Sequence, residues 1–414
     1  MPRTVSILTE ADAHGGSVVH TFGLIEALVD RGCEVEVVAN RFDPYTIWAR
    51  ERGLADRVRV IPTALPGITP EQPADLAGWS AVFGQLRGDV MFFPKGHFFH
   101  GRLEFLALCR SRFRTIAFIE HLEAPAAPAI PPPLLGFIPR PGLAWRRRRA
   151  RQRRAAGYAD HIIAVSDKVR DRLVADWGAP PERIAVVRNG VRWRDFARDE
   201  EAGARFRAAH GVAPGTFVFG MMTRLARVKG IDLALRALRR VVDAAGERDV
   251  RLVVAGEGPE GEALRALAVE LGVDRHVCFA GPVTRPVEAY SAYDVILFSS
   301  RFEGLPLALL EGMAAGCIPV VADVGGMKEA VNSPAAGWLV TPEDPAVLAD
   351  AMLATRALDP ARVRTLREAV VRRVREEFDA DVCFRAILDR CGIPAGQEPG
   401  PGPAREAPAP FSLP

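Results

Sequence analysis

The chain has 414 residues, room for two domains of ordinary size. It is 49% hydrophobic and 25% charged with a formal net charge of +3, a soluble globular mix whose near-neutral balance argues against nucleic-acid binding as the main role. No run of 18 apolar residues suggests a membrane span. The N-terminus lacks an apolar signal core, and the six scattered cysteines form no C-x-x-C pair. A cytosolic protein with neither a zinc site nor a disulfide framework is expected.

In chain order, "TVSIL" (4–8), "EVEVVA" (34–39), "RVRVI" (57–61), "DVMFF" (89–93), "TIAFIE" (115–120) and "HIIAVS" (161–166) read as strands. Helical patterns such as 16–32 lie between several of them. This is the β-α-β rhythm of a parallel sheet covered on both faces. "AVVRNG" (185–190) closes the first half, and a polar linker and helix follow. The rhythm restarts at 217–223, 251–256, 276–281, 294–300, 318–323 and 337–341. Two doubly wound α/β halves of comparable size are the simplest reading, with a ligand in the cleft between them near the carboxyl ends of the strands. Residues 345–391 read as helices, and the Pro- and Gly-rich tail from Gly392 as disordered.

Candidate chemistry falls where strands end and helices begin, since such junctions offer unpaired N–H groups and a positive dipole end. Gly15 and Gly16, after the first strand, would let the backbone approach a ligand; a plain glycine turn is the alternative. Arg224 and Lys229 in "GMMTRLARVKGID" (220–232) put two cations just before a helix. Cations there oppose the helix dipole unless an anion such as a diphosphate leaving group joins them; a solvated helix start is the alternative. Only four lysines (Lys95, Lys168, Lys229, Lys328) stand among 54 basic residues, which makes Lys229 more informative than an arginine would be. In "RFEGLPLALLEGMAAG" (301–316) two glutamates flank an apolar run. Pro306 suits the first helical turn, which puts Glu303 in the loop before the helix and Glu311 inside it. Eight helical residues span ~12 Å, too far to share one proton or metal. The pair suits two ends of an elongated, hydroxyl-bearing ligand.

The E-x7-E spacing of "EGLPLALLE", with "TRLARVKG", "VVRNGV", "VAGEGPEG", "FAGPV", "ADHIIAVS" and "GGMKEAV", resembles, in the same order, the retaining glycosyltransferases of family 4, which have the GT-B fold. The resemblance covers roughly residues 1–380. It implies two Rossmann-like α/β domains facing across a cleft, an acceptor-binding one over 1–192 and a nucleotide-sugar-binding one over 193–373, with a helix over 374–391 crossing back to the first domain and a disordered tail over 392–414. It implies Glu311 on the nucleotide ribose, Glu303 near the donor sugar, and Arg224 and Lys229 on the diphosphate. Gly16 matches the glycine-loop contact, and the backbone of Gly304, Leu305 and Pro306 would cradle phosphate and sugar. Gly15, Gly256, Gly258, Pro282 and Val283 join the donor-binding set. His121, at the end of strand 115–120, matches a histidine close to the transferring sugar, with Glu120 and Glu123 as alternatives. No protein nucleophile is assigned, and front-face attack is expected. The donor is a nucleotide sugar, UDP-linked by default, with GDP or ADP compatible. The acceptor is a small molecule such as a cyclitol, a glycan or a lipid carrier.

Asp379-Ala380-Asp381 has the letters of a metal-binding D-x-D but lies in a late helical stretch and reads as helix surface or cap. Arg224 and Lys229 would do a metal's electrostatic work, so no metal or cofactor is expected. A competing reading is an NAD(P)-dependent oxidoreductase, since Gly256–Gly261 spells G-x-G-x-x-G. The next strand, however, ends in "CFAGPV" without the ribose-binding acid. Seven arginines within 146–154, behind the apolar stretch from 134, could lie on anionic lipid; an exposed basic helix is the plainer reading. Lys95, His97 and His100 are weak candidates for acceptor contact.

Overall fold

The computed structural model describes residues 3–9, 16–40, 43–63, 75–94, 103–121, 141–245 and 250–395. Two compact units emerge, one made of the described residues up to Arg188 together with the described residues from Cys383 on, the other of those within Asn189–Val382.

In the first unit, β1 (Thr4–Thr9), α1 (Gly16–Asp30), β2 (Glu34–Ala39), α2 (Asp43–Glu51), β3 (Val58–Pro62), α3 (Leu76–Gly84) and β4 (Val90–Phe93) form the first half. They are followed by α4 (Leu103–Arg112), β5 (Thr115–Glu120), α5 (Pro141–Ala156), β6 (His161–Ala164), α6 (Asp167–Ala175) and β7 (Ile184–Val186). The seven strands are all parallel, in the order β3-β2-β1-β4-β5-β6-β7. The central strands lack polar alternation because both faces are covered: Val5 through Thr9 and Ile116 through Glu120 are buried without a break. Helix starts are fixed by side-chain caps. Asp75 accepts from Gly78 N, and Ser166 from Val169 N, satisfying N–H groups that the helices cannot.

The second unit contains α7 (Glu200–Ala209), β8 (Phe217–Met222), α8 (Ile231–Ala245), β9 (Val250–Ala255), α9 (Gly261–Glu270), β10 (Val277–Gly281) and α10 (Pro286–Ala292). Then come β11 (Val295–Phe298), α11 (Leu307–Ala314), β12 (Ile318–Ala322), α12 (Met327–Ala330), β13 (Trp338–Val340), α13 (Pro345–Arg356) and α14 (Pro360–Glu377). Its six strands run parallel in the order β10-β9-β8-β11-β12-β13. Helix α8 shows how the pattern builds the core. Ile231, Ala234, Leu235, Leu238, Val241 and Val242 follow the helical repeat and are all buried, while Arg236 and Arg240 on the other side are exposed.

The last helix, α15 (Ala380–Arg390), belongs to the first unit from Cys383 on. There the Phe384 ring packs on His20, with ring centroids 4.9 Å apart. Val374, where the closing helix was expected to begin, lies inside α14. The tail expected to be disordered from Gly392 is held for its first residues: Ile393 is buried and its carbonyl accepts from Arg31. Residues 396–414 lie outside the described residues. Asp379 caps α15, accepting from Asp381 N at 2.9 Å through Oδ1 and from the Trp193 indole at 3.0 Å through Oδ2. Among the described residues no helix is long and apolar enough to cross a membrane.

Candidate functional site

In the second sheet the strand order reverses between β8 and β11, so the two neighbours lead into loops that diverge to opposite sides. Such a switch point leaves a crevice at the carboxyl edge of the sheet. The loop after β8 carries Arg224 and Lys229, and the loop after β11 carries Glu303. The Lys229 ammonium donates to Glu303 Oε1 at 2.7 Å, across 74 positions of sequence. Ser300 Oγ donates to the same oxygen at 2.9 Å. The Glu303 side chain is only 4% exposed, so these donors are what make a buried carboxylate tolerable. Its second oxygen makes no hydrogen bond among the described residues.

Both loops are held by backbone contacts. A 3-10 turn, Arg227–Lys229, ends at Gly230, whose φ of +63° is left-handed and which sits on the Ser299 carbonyl, where a side chain would collide. Ser299 Oγ donates to Gly230 O at 2.6 Å. Arg301 N donates to Val228 O, and the Arg301 guanidinium grips Asp232 through two bonds of 2.8 Å. Burial opposes ionisation of Asp232, but the Arg301 bonds outweigh it and hold the carboxyl below its usual range. Arg224 is exposed, and its guanidinium has no ion pair or hydrogen bond among the described residues.

Gly304 and Leu305 follow Glu303 and are buried, yet neither N–H donates to the described chain. Asn189 Nδ2 donates to Leu305 O at 2.6 Å, and Gly326 N donates to Gly304 O, so this strip of backbone is fixed from two sides. Pro306 is the N-cap of α11 with ψ 132°, one step earlier than the first-turn placement expected, and the helix proper starts at Leu307. Two unpaired N–H groups before a helix start, with a lysine across the crevice, form a natural seat for an anion.

Glu311 lies inside α11 and is half-buried. The Tyr290 hydroxyl donates to its Oε2 at 2.7 Å. Burial pushes the Glu311 carboxyl up to about 7, against the downward pull of that bond. Each glutamate therefore has its own compensating partner.

The glycines of 256–261 serve the fold here. Gly256 has φ +130° and presses on the Thr223 carbonyl, where no side chain fits. Its N–H donates to Gly281 O at 2.7 Å. Gly258 packs on the Leu225 backbone, and Leu225 N donates to Glu257 O at 2.9 Å. The G-x-G-x-x-G spacing thus brings the loop after β9 onto the loop that carries Arg224, and this internal packing accounts for glycine at Gly256 and Gly258. Pro282 and Val283 follow β10 at the same edge of the sheet, one exposed and the other half-buried.

In the first unit Gly16 is the exposed first residue of α1, while Gly15 lies outside the described residues. His121 follows β5 and is half-buried, with the His20 ring edge-on at 4.4 Å. Burial, then the neighbouring His121, lowers the His20 pKa well below the usual range. Glu120 is buried, and burial lifts its carboxyl to about 8. Glu123, Lys95, His97 and His100 lie outside the described residues. On α5, Arg147, Arg151, Arg153 and Arg154 are exposed.

Sequence reasoning missed Tyr290, Ser300, Arg301 and Asn189. Ser300 and Arg301 could have been noticed as polar neighbours of Glu303. Tyr290 gives no local signal, because its partner lies 21 residues further on.

The family described as "Glycosyltransferase Family 4" matches residues 14–192, and that described as "Glycosyl transferases group 1" matches 204–369. A D-inositol 3-phosphate glycosyltransferase 1 of Catenulispora acidiphila is 30% identical over 88% of this chain and 89% of its own length. A D-inositol 3-phosphate glycosyltransferase of Acidothermus cellulolyticus is 37% identical over 60% of this chain, an aligned stretch that spans 56% of that relative. Among solved structures, Anabaena Alr3699/HepE in complex with UDP and glucose superposes with a TM-score of 0.73 at 18% identity, covering 94% of this chain and 99% of that one. With two parallel α/β units and these relatives, the chain belongs to the group 1, family 4 glycosyltransferases, enzymes of the GT-B fold that transfer a sugar from a nucleotide sugar.

Proposed function

We propose that this enzyme transfers a hexosyl group from a UDP-sugar to an acceptor hydroxyl with retention and without a metal. The observation that carries the reading is the meeting of Lys229 and Glu303 at the switch point. An ammonium has three donors, so Lys229 can keep Glu303 and still take a phosphate oxygen. Arg224 adds a second cation from the same loop, and the Gly304 and Leu305 N–H groups add neutral donors. Together they stabilise the charge that develops as the diphosphate leaves, which is the usual work of a metal. The sugar C1–oxygen bond to phosphate breaks, the acceptor oxygen bonds C1 on the same face, and its proton passes to the departing phosphate oxygen. Glu303 holds the sugar, and Glu311 accepts from the ribose hydroxyls.

The UDP choice is supported by Alr3699/HepE, which was solved with UDP. Relatives named for D-inositol 3-phosphate support a phosphorylated cyclitol as acceptor. A second, compatible reading is peripheral contact with anionic membranes through the exposed arginines of α5; Arg147→Glu with Arg153→Glu should then reduce sedimentation with anionic liposomes. The direct test of the main reading is thermal shift with nucleotides. UDP should raise the melting temperature in the presence of EDTA. A shift that appears only with magnesium would overturn the metal-free reading, and a shift with GDP or ADP instead would overturn the donor choice.

A further inference from the structure

Glu311 lies on α11, and Tyr290 projects to it from α10. We propose that Tyr290 is a positioning residue for the nucleotide: its hydroxyl occupies Glu311 Oε2 and so presents Oε1 to the ribose. The inference rests on the proposed role of Glu311 as ribose acceptor.

Three observations carry it. Tyr290 is fully buried, yet its hydroxyl ends on a half-buried carboxylate at 2.7 Å, so the bond is charge-assisted. Glu311 Oε1 has no partner among the described residues. The tyrosine itself is clamped: Phe196 meets its ring edge-on at 6.1 Å, Tyr293 does so at 6.2 Å, and Cys317 Sγ lies 3.1 Å from its carbonyl. A glutamate on an eight-residue helix has several rotamers. A hydroxyl fixed by a packed ring selects one of them, which lowers the entropy lost when ribose binds.

The Tyr290 bond also bears on the charge of Glu311, against the larger effect of burial. Helix α11 packs against α10, α14, β11, β12 and the 3-10 turn Trp193–Phe196. On and beside these elements the charged and titratable groups are Glu288, Tyr290, Tyr293, Asp294, Cys317, the turn's Arg194 and Asp195, and the arginines and glutamates of α14. Arg367 binds Asp294, and Arg373 binds the Glu329 and Ala330 carbonyls and Glu377. Arg194 stacks on Trp193. Among the described residues Tyr290 is the side chain hydrogen-bonded to Glu311, and its bond opposes the rise to about 7 that burial imposes. Burial, then Glu311, raises the Tyr290 pKa well above the usual tyrosine range, so it stays a donor throughout the working pH. An ionised Glu311 accepts from ribose and a protonated one does so poorly. Nucleotide affinity should therefore fall as pH drops through about 7, and at a higher pH once the tyrosine hydroxyl is gone.

The test is calorimetric titration of wild type, Tyr290→Phe and Glu311→Gln with UDP and with 2′,3′-dideoxy-UDP from pH 6 to 8.5, with GDP and ADP in parallel. Tyr290→Phe should weaken ribonucleotide binding roughly tenfold at pH 7, the size of one lost hydrogen bond to a charged group. It should leave dideoxynucleotide binding unchanged and move the pH midpoint upward. Equal losses for both nucleotides would mean a merely structural tyrosine, and no loss with an unmoved midpoint would mean no role; either overturns the proposal. Ribonucleotide binding unaffected by Glu311→Gln would instead refute the ribose role on which the proposal rests. Should Tyr290→Phe fail to fold, wild type labelled at tyrosine 13Cζ decides. One of the four tyrosines should shift with the Glu311 titration, and its failure to do so would overturn the proposal.

Discussion

Lys229 does two jobs that a simple substitution would confound. It is proposed to grip the donor diphosphate, and it already neutralises Glu303, whose side chain is 4% exposed. Removing one partner of such a buried pair leaves the other as an uncompensated charge, at a cost of roughly 3–5 kcal/mol; the partial exposure of Lys229, at 22%, puts this case near the lower end. Lys229→Ala should therefore lower the melting temperature and abolish the shift with UDP. Adding Glu303→Gln removes the stranded charge while leaving the Ser300 hydrogen bond possible. The double variant should regain most of the lost stability and none of the UDP response. Recovery of both would mean that Lys229 acts only as a counter-ion, and the diphosphate role would have to be abandoned.

Among the elements, the strands were the most legible part of the molecule. β4 and β5 lie where their apolar runs place them, because a strand covered on both faces shows its burial as an unbroken run. Glu303 before α11 and Glu311 within it were likewise readable from Pro306 and the eight-residue spacing. What was not legible depends on tertiary pairing. Arg301 joins Asp232 across 69 positions and Tyr290 reaches Glu311 across two helices, and neither leaves a local pattern. The glycine fingerprint likewise has a tertiary contact behind it. Its spacing suits a dinucleotide, but Gly256 is glycine because the Thr223 carbonyl occupies the space of a side chain. This gives a paired prediction. Gly281→Ala faces only the strain of φ +73°, with nothing within 4 Å, and should cost about 1 kcal/mol. Gly256→Ala meets both φ +130° and a backbone carbonyl, and should cost roughly 3 kcal/mol or more. It should also displace the Arg224 loop and weaken UDP binding, whereas Gly281→Ala should leave binding near wild type. Equal melting temperatures for the two would refute this account of the loop.

At the scale of the whole molecule, Arg224, Lys229, Glu303 and Glu311 belong to Asn189–Val382, while the buried Glu120 belongs to the other unit. The two units should then answer to different variables in a scanning calorimeter, since a two-domain chain need not unfold as one. UDP should raise the transition of the second unit by mass action. Glu120 should make the first unit sensitive to pH, and the sign follows from its environment. Burial lifts its folded-state carboxyl from the usual 4.5 to about 8, and its Oε1 has no hydrogen-bond partner among the described residues. Between those values the unfolded chain has released a proton that the folded chain keeps. Stability is therefore greatest below about 4.5 and falls as pH rises to about 8, beyond which this contribution is constant. At about 1.4 kcal/mol per pH unit, the whole interval amounts to at most ~5 kcal/mol. Glu120→Gln removes the titration, so it should raise the first unit's transition by up to roughly 10 °C at pH 8 and much less at pH 5. It should leave the UDP-sensitive transition where it was. If Glu120→Gln shifts both transitions equally, or shifts the first by the same amount at both pH values, Glu120 is not the buried neutral acid described here.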